Sequence, residues 1–171
     1  LMAAQDAEYW IRRLGLTAHP EGGYFKETYR SPLWYSEDCL QPDYDGSRNA
    51  STAIYFLVTA DNPSCFHRLG TDEIWHHYVG EPLELIFLDL QGKLTSKWLG
   101  KSDSEGCLPQ VLAPAGCWFA ARVATSFALC GCTMAPGFDF HDFELASRKD
   151  LTFAYPDHID LITALTPEPK H

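Results

Sequence analysis

The chain has 171 residues, 46% hydrophobic and 21% charged, with a formal charge of −10. That is enough apolar chain to build one core and excludes wholesale disorder. With no cluster of Lys and Arg, a nucleic-acid partner and an anionic membrane surface are both disfavoured, because either would need a basic patch.

The first residues have no basic segment followed by an apolar run, and no stretch approaches the roughly 18 apolar residues of a membrane span. The expectation is a cytoplasmic protein with no membrane partner. Ala7, Trp10, Ile11 and Leu14 follow the i, i+3, i+4, i+7 spacing of an amphipathic helix, and Gly15 is its stop. The period then changes. Residues 24–30 read as a strand and 53–59 as a strongly apolar one. Short β-type runs recur at 64–69, 73–79, 83–89, 93–99, 110–112, 117–122 and 127–134. Turn signals such as Asp61-Asn62-Pro63, Gly70-Thr71-Asp72, Gly80-Glu81-Pro82 and Pro114-Ala115-Gly116 separate them.

The polar segment 35–50 reads as a long loop covering a barrel mouth or a partner. Ser147 to Asp150 resembles a capping box with Asp in the Glu position, and Pro156 opens a last helix with Ile159, Ile162 and Leu165 on one stripe. The spacing predicts a single, mainly β domain over residues 1–171, an antiparallel sandwich or barrel with short helices at both ends. Six cysteines, at 39, 65, 107, 117, 130 and 132, contain no Cys-x-x-Cys and read as buried structural thiols, with a metal or redox role as the alternative. Cys130 and Cys132 have strand spacing that puts both on one face.

The densest chemistry lies between Cys65 and Gly80, where His67, Glu73, His76 and His77 fall close together. This segment resembles the first cupin motif, Gly-x5-His-x-His-x(3,4)-Glu-x6-Gly, through His67, Glu73 and Gly80. Residues 112–119 resemble the second motif through Pro114 and Gly116. The strings His19-Pro20-Glu21-Gly22-Gly23-Tyr24, Gly116-Cys117-Trp118-Phe119 and Ala135-Pro136-Gly137-Phe138-Asp139-Phe140 resemble the cupin-5 branch, a family of unknown function. The resemblance implies a cupin-type β-barrel or jelly roll, and a homodimer paired through an edge sheet.

Metal-dependent cupins use three histidines and a glutamate. Here Leu69 stands at the second histidine position and Phe119 at the histidine of the second motif. No metal or other cofactor is therefore expected, beyond a divalent ion held weakly at His67 and Glu73. Strand alternation places Glu73, Trp75, His77 and Val79 on one face and His76 on the other, whereas the family string favours His76 as the pocket residue.

A metal-independent isomerase or epimerase acting on a sugar-like or other small polar carbonyl compound is the first reading, by resemblance to the cupin sugar epimerases. In it His67 is the base, Glu73 orients it and Tyr55 is the acid. Tyr24, Tyr29, His76, His77, Trp118, Phe119 and Phe138 are the candidate ligand-binding residues. Arg30, Arg68 and Arg122 are candidates to hold an anionic group, and Glu21 and Glu27 to close the pocket beside a tight Gly22-Gly23 turn. The alternatives are a non-catalytic ligand-binding or storage-type cupin, and a metal enzyme with non-standard ligands.

Overall fold

The computed structural model describes residues 5–169. Fourteen strands and three short α-helices are present among them. In chain order they are α1 (Ala7–Leu14), β1 (Thr17–Ala18), β2 (Tyr24–Arg30), β3 (Trp34–Tyr35), β4 (Arg48–Asn49), β5 (Thr52–Thr59), β6 (Ser64–Leu69) and β7 (Glu73–Gly80). There follow β8 (Leu83–Leu88), β9 (Leu94–Leu99), β10 (Cys107–Leu108), β11 (Gln110–Ala113), β12 (Trp118–Arg122), β13 (Phe127–Met134), β14 (Phe143–Leu145), α2 (Arg148–Ala154) and α3 (Ile159–Ala164).

Two six-stranded sheets form the domain, ordered β1-β2-β5-β13-β7-β11 and β10-β9-β8-β12-β6-β14. All of their pairings are antiparallel except β10 with β9. The main core lies between the sheets, where Phe56, Val58 and Trp75 of one meet Leu85, Phe87 and Phe119 of the other. The runs at β5, β8 and β13 are apolar on both faces because helices cover the outer surfaces. Phe66, Ile86 and Leu88 pack under Leu151 of α2 and Ile162 of α3. Leu57 and Leu129 pack under Trp10, Ile11 and Leu14 of α1.

The expected caps are in place. Asp6 accepts from the Tyr9 amide, Gly15 closes α1 with φ 66, and Ser147 accepts from the Asp150 amide. All six cysteines are free thiols, but only Cys130 and Cys132 are buried, facing the core together, whereas Cys39 lies exposed in the 35–50 segment. The 35–50 segment is not one uniform loop. It holds β4, paired with β3, and a single 3₁₀ turn at Glu37–Cys39. It is fastened by Arg48, whose guanidinium donates from Nε and Nη2 to Asp142 at 2.8 Å each. No helix among the described residues is long and apolar enough to cross a membrane.

Candidate functional site

The inner faces of β2, β5, β6, β7 and β13 converge on a cavity of about 40 Å³, lined by His19, Glu21, Phe25, Thr52, Ile54, Phe56, His67, Leu69, Glu73, Trp75, Cys132, Met134 and Phe138. At roughly 10–15 Å³ for each water-sized occupant, that is room for about three waters or one small organic molecule. The polar groups at its wall are few: two carboxyls, two imidazoles, a hydroxyl, a thiol and the indole N–H of Trp75.

Two of these groups come from the turn between β1 and β2. The turn is held by His19 N–H donating to Gly23 O at 3.1 Å and by Gly22 N–H donating to His19 O at 3.0 Å. Gly22 and Gly23 have φ of 100 and 68. A Cβ at Gly22 would lie 2.0 Å from Pro63 O, and one at Gly23 would lie 2.9 Å from Leu57 O. Only glycine lets this turn press against β5 and the start of β6. The contact is sealed by Cys65 N–H donating to Glu21 O at 2.7 Å. Glu21 is thereby carried into the barrel, 5% exposed.

Inside, Glu21 Oε2 lies 3.0 Å from His67 Nε2, and Ser64 Oγ donates to Glu21 Oε1 at 3.0 Å. His67 Nδ1–H donates to the Cys65 carbonyl at 2.7 Å, so the neutral ring presents a lone pair at Nε2. Burial lowers the His67 pKa to about 4. Burial, and secondly the charge of Glu73, raise that of Glu21 well above the usual carboxylate value, against the Ser64 hydrogen bond. The proton therefore sits on Glu21, and the contact is an O–H···N bond between neutral groups rather than an ion pair.

Glu73, at the start of β7, is 6% exposed. Its Oε1 accepts from Trp75 Nε1–H at 2.6 Å, and Oε2 has no partner among the described protein groups. Burial raises its pKa to about 7, against the Trp75 bond that favours the anion. A carboxyl tuned to this range takes and releases protons near neutral pH.

His67 and Glu73 thus share the cavity, but His67 is bonded to Glu21 rather than to Glu73. Tyr55 points away from the cavity. Its neighbours Ile54 and Phe56 line the pocket, while Tyr55 packs on the α1 side and against Tyr78. Of the seven aromatic and histidine candidates for ligand contact, only Phe138 reaches the cavity wall. Tyr24 lies under α1, Tyr29 is 52% exposed, and Trp118 packs on the α2–α3 side beneath Arg68. Phe119 is core, its ring centroid 4.2 Å from that of His67.

His76 faces outward, its Nε2 2.8 Å from Thr133 Oγ1. His77 keeps the parity of Glu73 but sits at the far end of β7, bonded to the Glu81 carbonyl. Past it, a register shift against β13 turns Val79 outward onto the α1 side, overturning the simple alternation that grouped Val79 with Glu73. The three arginine candidates are all in ion pairs, Arg30 with Glu27, Arg68 with Glu144 and Arg122 with Glu84. None lines the cavity, and neither does Glu27.

The side chains at the four cupin metal-ligand positions do not make a metal site. Leu69 and Phe119 offer no donor atom, His67 Nε2 is occupied by Glu21, and Glu73 is turned toward Trp75. Among the described residues no group of three or more His, Cys, Asp or Glu side chains is placed to hold a metal ion.

Two facing antiparallel sheets with a pocket between them, walled by the strands of the first cupin motif, define a cupin-type jelly roll. The chain belongs to the Cupin superfamily (DUF985), whose profile matches residues 8–146. It is 32% identical over 148 residues to an uncharacterized protein of Saccharomyces cerevisiae, covering 79% of this chain and 72% of that one.

Among solved structures it resembles a hypothetical protein from Leishmania major, at 35% identity and TM-score 0.84, over 95% of this chain and 99% of the other. It also resembles a protein from Shewanella oneidensis, at 35% identity and TM-score 0.85, over 97% and 100%. Oxalate decarboxylase of Bacillus subtilis shares the fold alone, at 12% identity and TM-score 0.53 over 90% of this chain and 37% of its own.

Proposed function

We propose that this cupin is a metal-independent acid–base enzyme, an isomerase or epimerase acting on a small, uncharged polar carbonyl compound. The observation that carries the reading is a neutral Glu21–His67 pair at 3.0 Å sharing one small cavity with Glu73, whose pKa is raised to about 7. Glu73 as carboxylate removes the proton from the carbon beside the carbonyl. Returning it to the former carbonyl carbon, while the hydroxyl proton on the first carbon passes to the former carbonyl oxygen, gives the isomer. A proton delivered to the other face of the same carbon from the Glu21–His67 pair gives the epimer. The base role assigned from sequence to His67 moves to Glu73, because His67 Nε2 already accepts the Glu21 proton.

The test is solvent exchange. Purified untagged protein in D2O is expected to replace the C–H protons of hydroxyacetone, glycolaldehyde or dihydroxyacetone faster than buffer, read by proton NMR. Glu73→Gln lowers the rate by about 100-fold or more. No exchange by the wild type on any of the three overturns the enzyme reading. One equivalent of bound metal in the same preparation overturns the metal-independent one.

A non-catalytic ligand-binding role is the second reading, favoured by the mainly apolar wall of the cavity. A bound ligand recovered unchanged after long incubation supports it. We also infer a homodimer through the β11 edge. Leu112 pairs with Ile74 there, and the two side chains are 43% and 41% exposed. An uncovered edge with apolar side chains invites a second copy. Leu112→Arg is expected to convert the dimer to monomer by analytical ultracentrifugation; a monomeric wild type refutes it.

A further inference from the structure

His19 takes no part in the chemistry described so far, yet it is placed like a reacting group. Its ring is held by aromatic neighbours, edge-on to Phe25 at 4.6 Å, Phe56 at 5.7 Å and Phe143 at 5.9 Å, and stacked on Phe140 at 6.4 Å. Its side chain is 6% exposed. The Glu21 backbone N–H donates to Nδ1 at 3.1 Å. A backbone N–H can only donate, so Nδ1 carries the lone pair and the neutral ring carries its proton on Nε2. Burial lowers the His19 pKa to about 4, which keeps the ring neutral near pH 7.

Among the described residues Nε2–H has no protein partner, although the ring lines the cavity that Glu73 also lines. An N–H of fixed direction with no protein partner is free to donate to whatever occupies the space in front of it. Proton removal beside a carbonyl puts negative charge on the carbonyl oxygen. The most effective stabiliser of that charge is a preoriented donor that needs no rearrangement. A neutral imidazole N–H opposite a glutamate base is a known solution to the same problem in an unrelated enzyme.

The other titratable groups at the wall are Glu21, Glu73, His67 and Cys132, with neither Lys nor Arg among the lining residues. A carboxylate or phosphate inside would face two carboxyls and meet no cation, while a carbonyl oxygen needs only one N–H.

We infer that His19 is a catalytic residue, donating its Nε2–H to the oxygen that becomes an oxyanion as Glu73 removes the proton, and that the site therefore selects uncharged carbonyl ligands over carboxylates and phosphates. This rests on the proton-transfer reading above, and its test separates the two.

Nitrogen-15 spectra of the full chain at about pH 7 are expected to show His19 as the Nε2–H tautomer. An Nδ1–H tautomer or an imidazolium overturns the inference whatever the activity. Hydroxyacetone exchange in D2O is expected to fall by about 100-fold in His19→Phe, with the pH midpoint set by Glu73 unchanged, and to recover in part in His19→Gln, whose amide restores a donor. An unchanged rate in His19→Phe overturns the inference while leaving Glu73 as base. Absence of exchange in the wild type, with the tautomer as expected, overturns the underlying reading instead. Should His19→Phe not fold, the spectrum and His19→Gln still decide. Pyruvate binding tighter than hydroxyacetone overturns the ligand selectivity.

Discussion

His67 and His76 come from adjacent parts of one motif and reach opposite ends of what a histidine does in a fold. His67 is 1% exposed, packed at a tilt against Phe119 and bonded through Nε2 to a buried carboxyl. His76 is half-buried on the outer face of β7, between a threonine hydroxyl and Gln110. Both rings are hydrogen-bonded, so bonding does not distinguish them. What differs is the partner and the access of water. A hydroxyl and an amide can be exchanged for solvent at little cost, whereas a carboxyl enclosed with an imidazole fixes where a proton resides.

The largest break in this contrast is His67→Ala. It removes a ring from the core and leaves the Glu21 carboxyl without its acceptor, so a loss of about 2–5 kcal/mol is expected by urea denaturation. A loss under about 1 kcal/mol would mean that Glu21 finds another partner, and the pair would not be structural.

The next largest effect is pH-dependent. Glu73 has a folded pKa of about 7, against an ordinary 4.5. Between those values the folded state holds a proton that the unfolded chain has released, so this group favours folding at low pH and loses that contribution as pH rises through about 7. Glu73→Gln lacks the group and should gain on wild type across that window, by up to about 3 kcal/mol. Unfolding at about pH 5 and about pH 8 measures it; a difference independent of pH refutes the raised pKa. His19 and His67, with folded values of about 4, act oppositely, being lost as pH falls below about 6.5. Glu21, raised as well, acts with Glu73. Two carboxyls thus oppose two imidazoles, and wild type should be flatter between about pH 4.5 and 6.5 than a variant lacking one of them.

The smallest effect belongs to the outer histidine. His76→Ala should cost under about 1 kcal/mol and leave hydroxyacetone exchange untouched, because Thr133 and Gln110 turn to water. A larger loss would mean that water does not replace the ring at Thr133 and Gln110.

Much of this was legible in the sequence. The long strands have clear apolar runs, and the cupin motif located His67 and Glu73. The short strands were not legible, because two residues such as Thr17 and Ala18, both exposed, carry no period. Nor was the partner of His67. Glu21 precedes Gly22-Gly23, which locally reads as a turn. Its burial depends on the approach of that turn to Pro63, a contact no local pattern encodes. Proximity in sequence suggested Glu73, and the fold supplied Glu21.

The glycine turn has a consequence for how the protein could be controlled. The barrel strands bring His67 and Glu73, but His19 and Glu21 arrive on a separate arm clipped to the rim of the barrel by the Cys65–Glu21 backbone bond. The proposed acid–base set is complete only while that arm is seated. Anything that prises the arm away, such as a cut before Tyr24 or a bulky residue at Gly22, would silence the site and spare the barrel, as a plug removed from its socket.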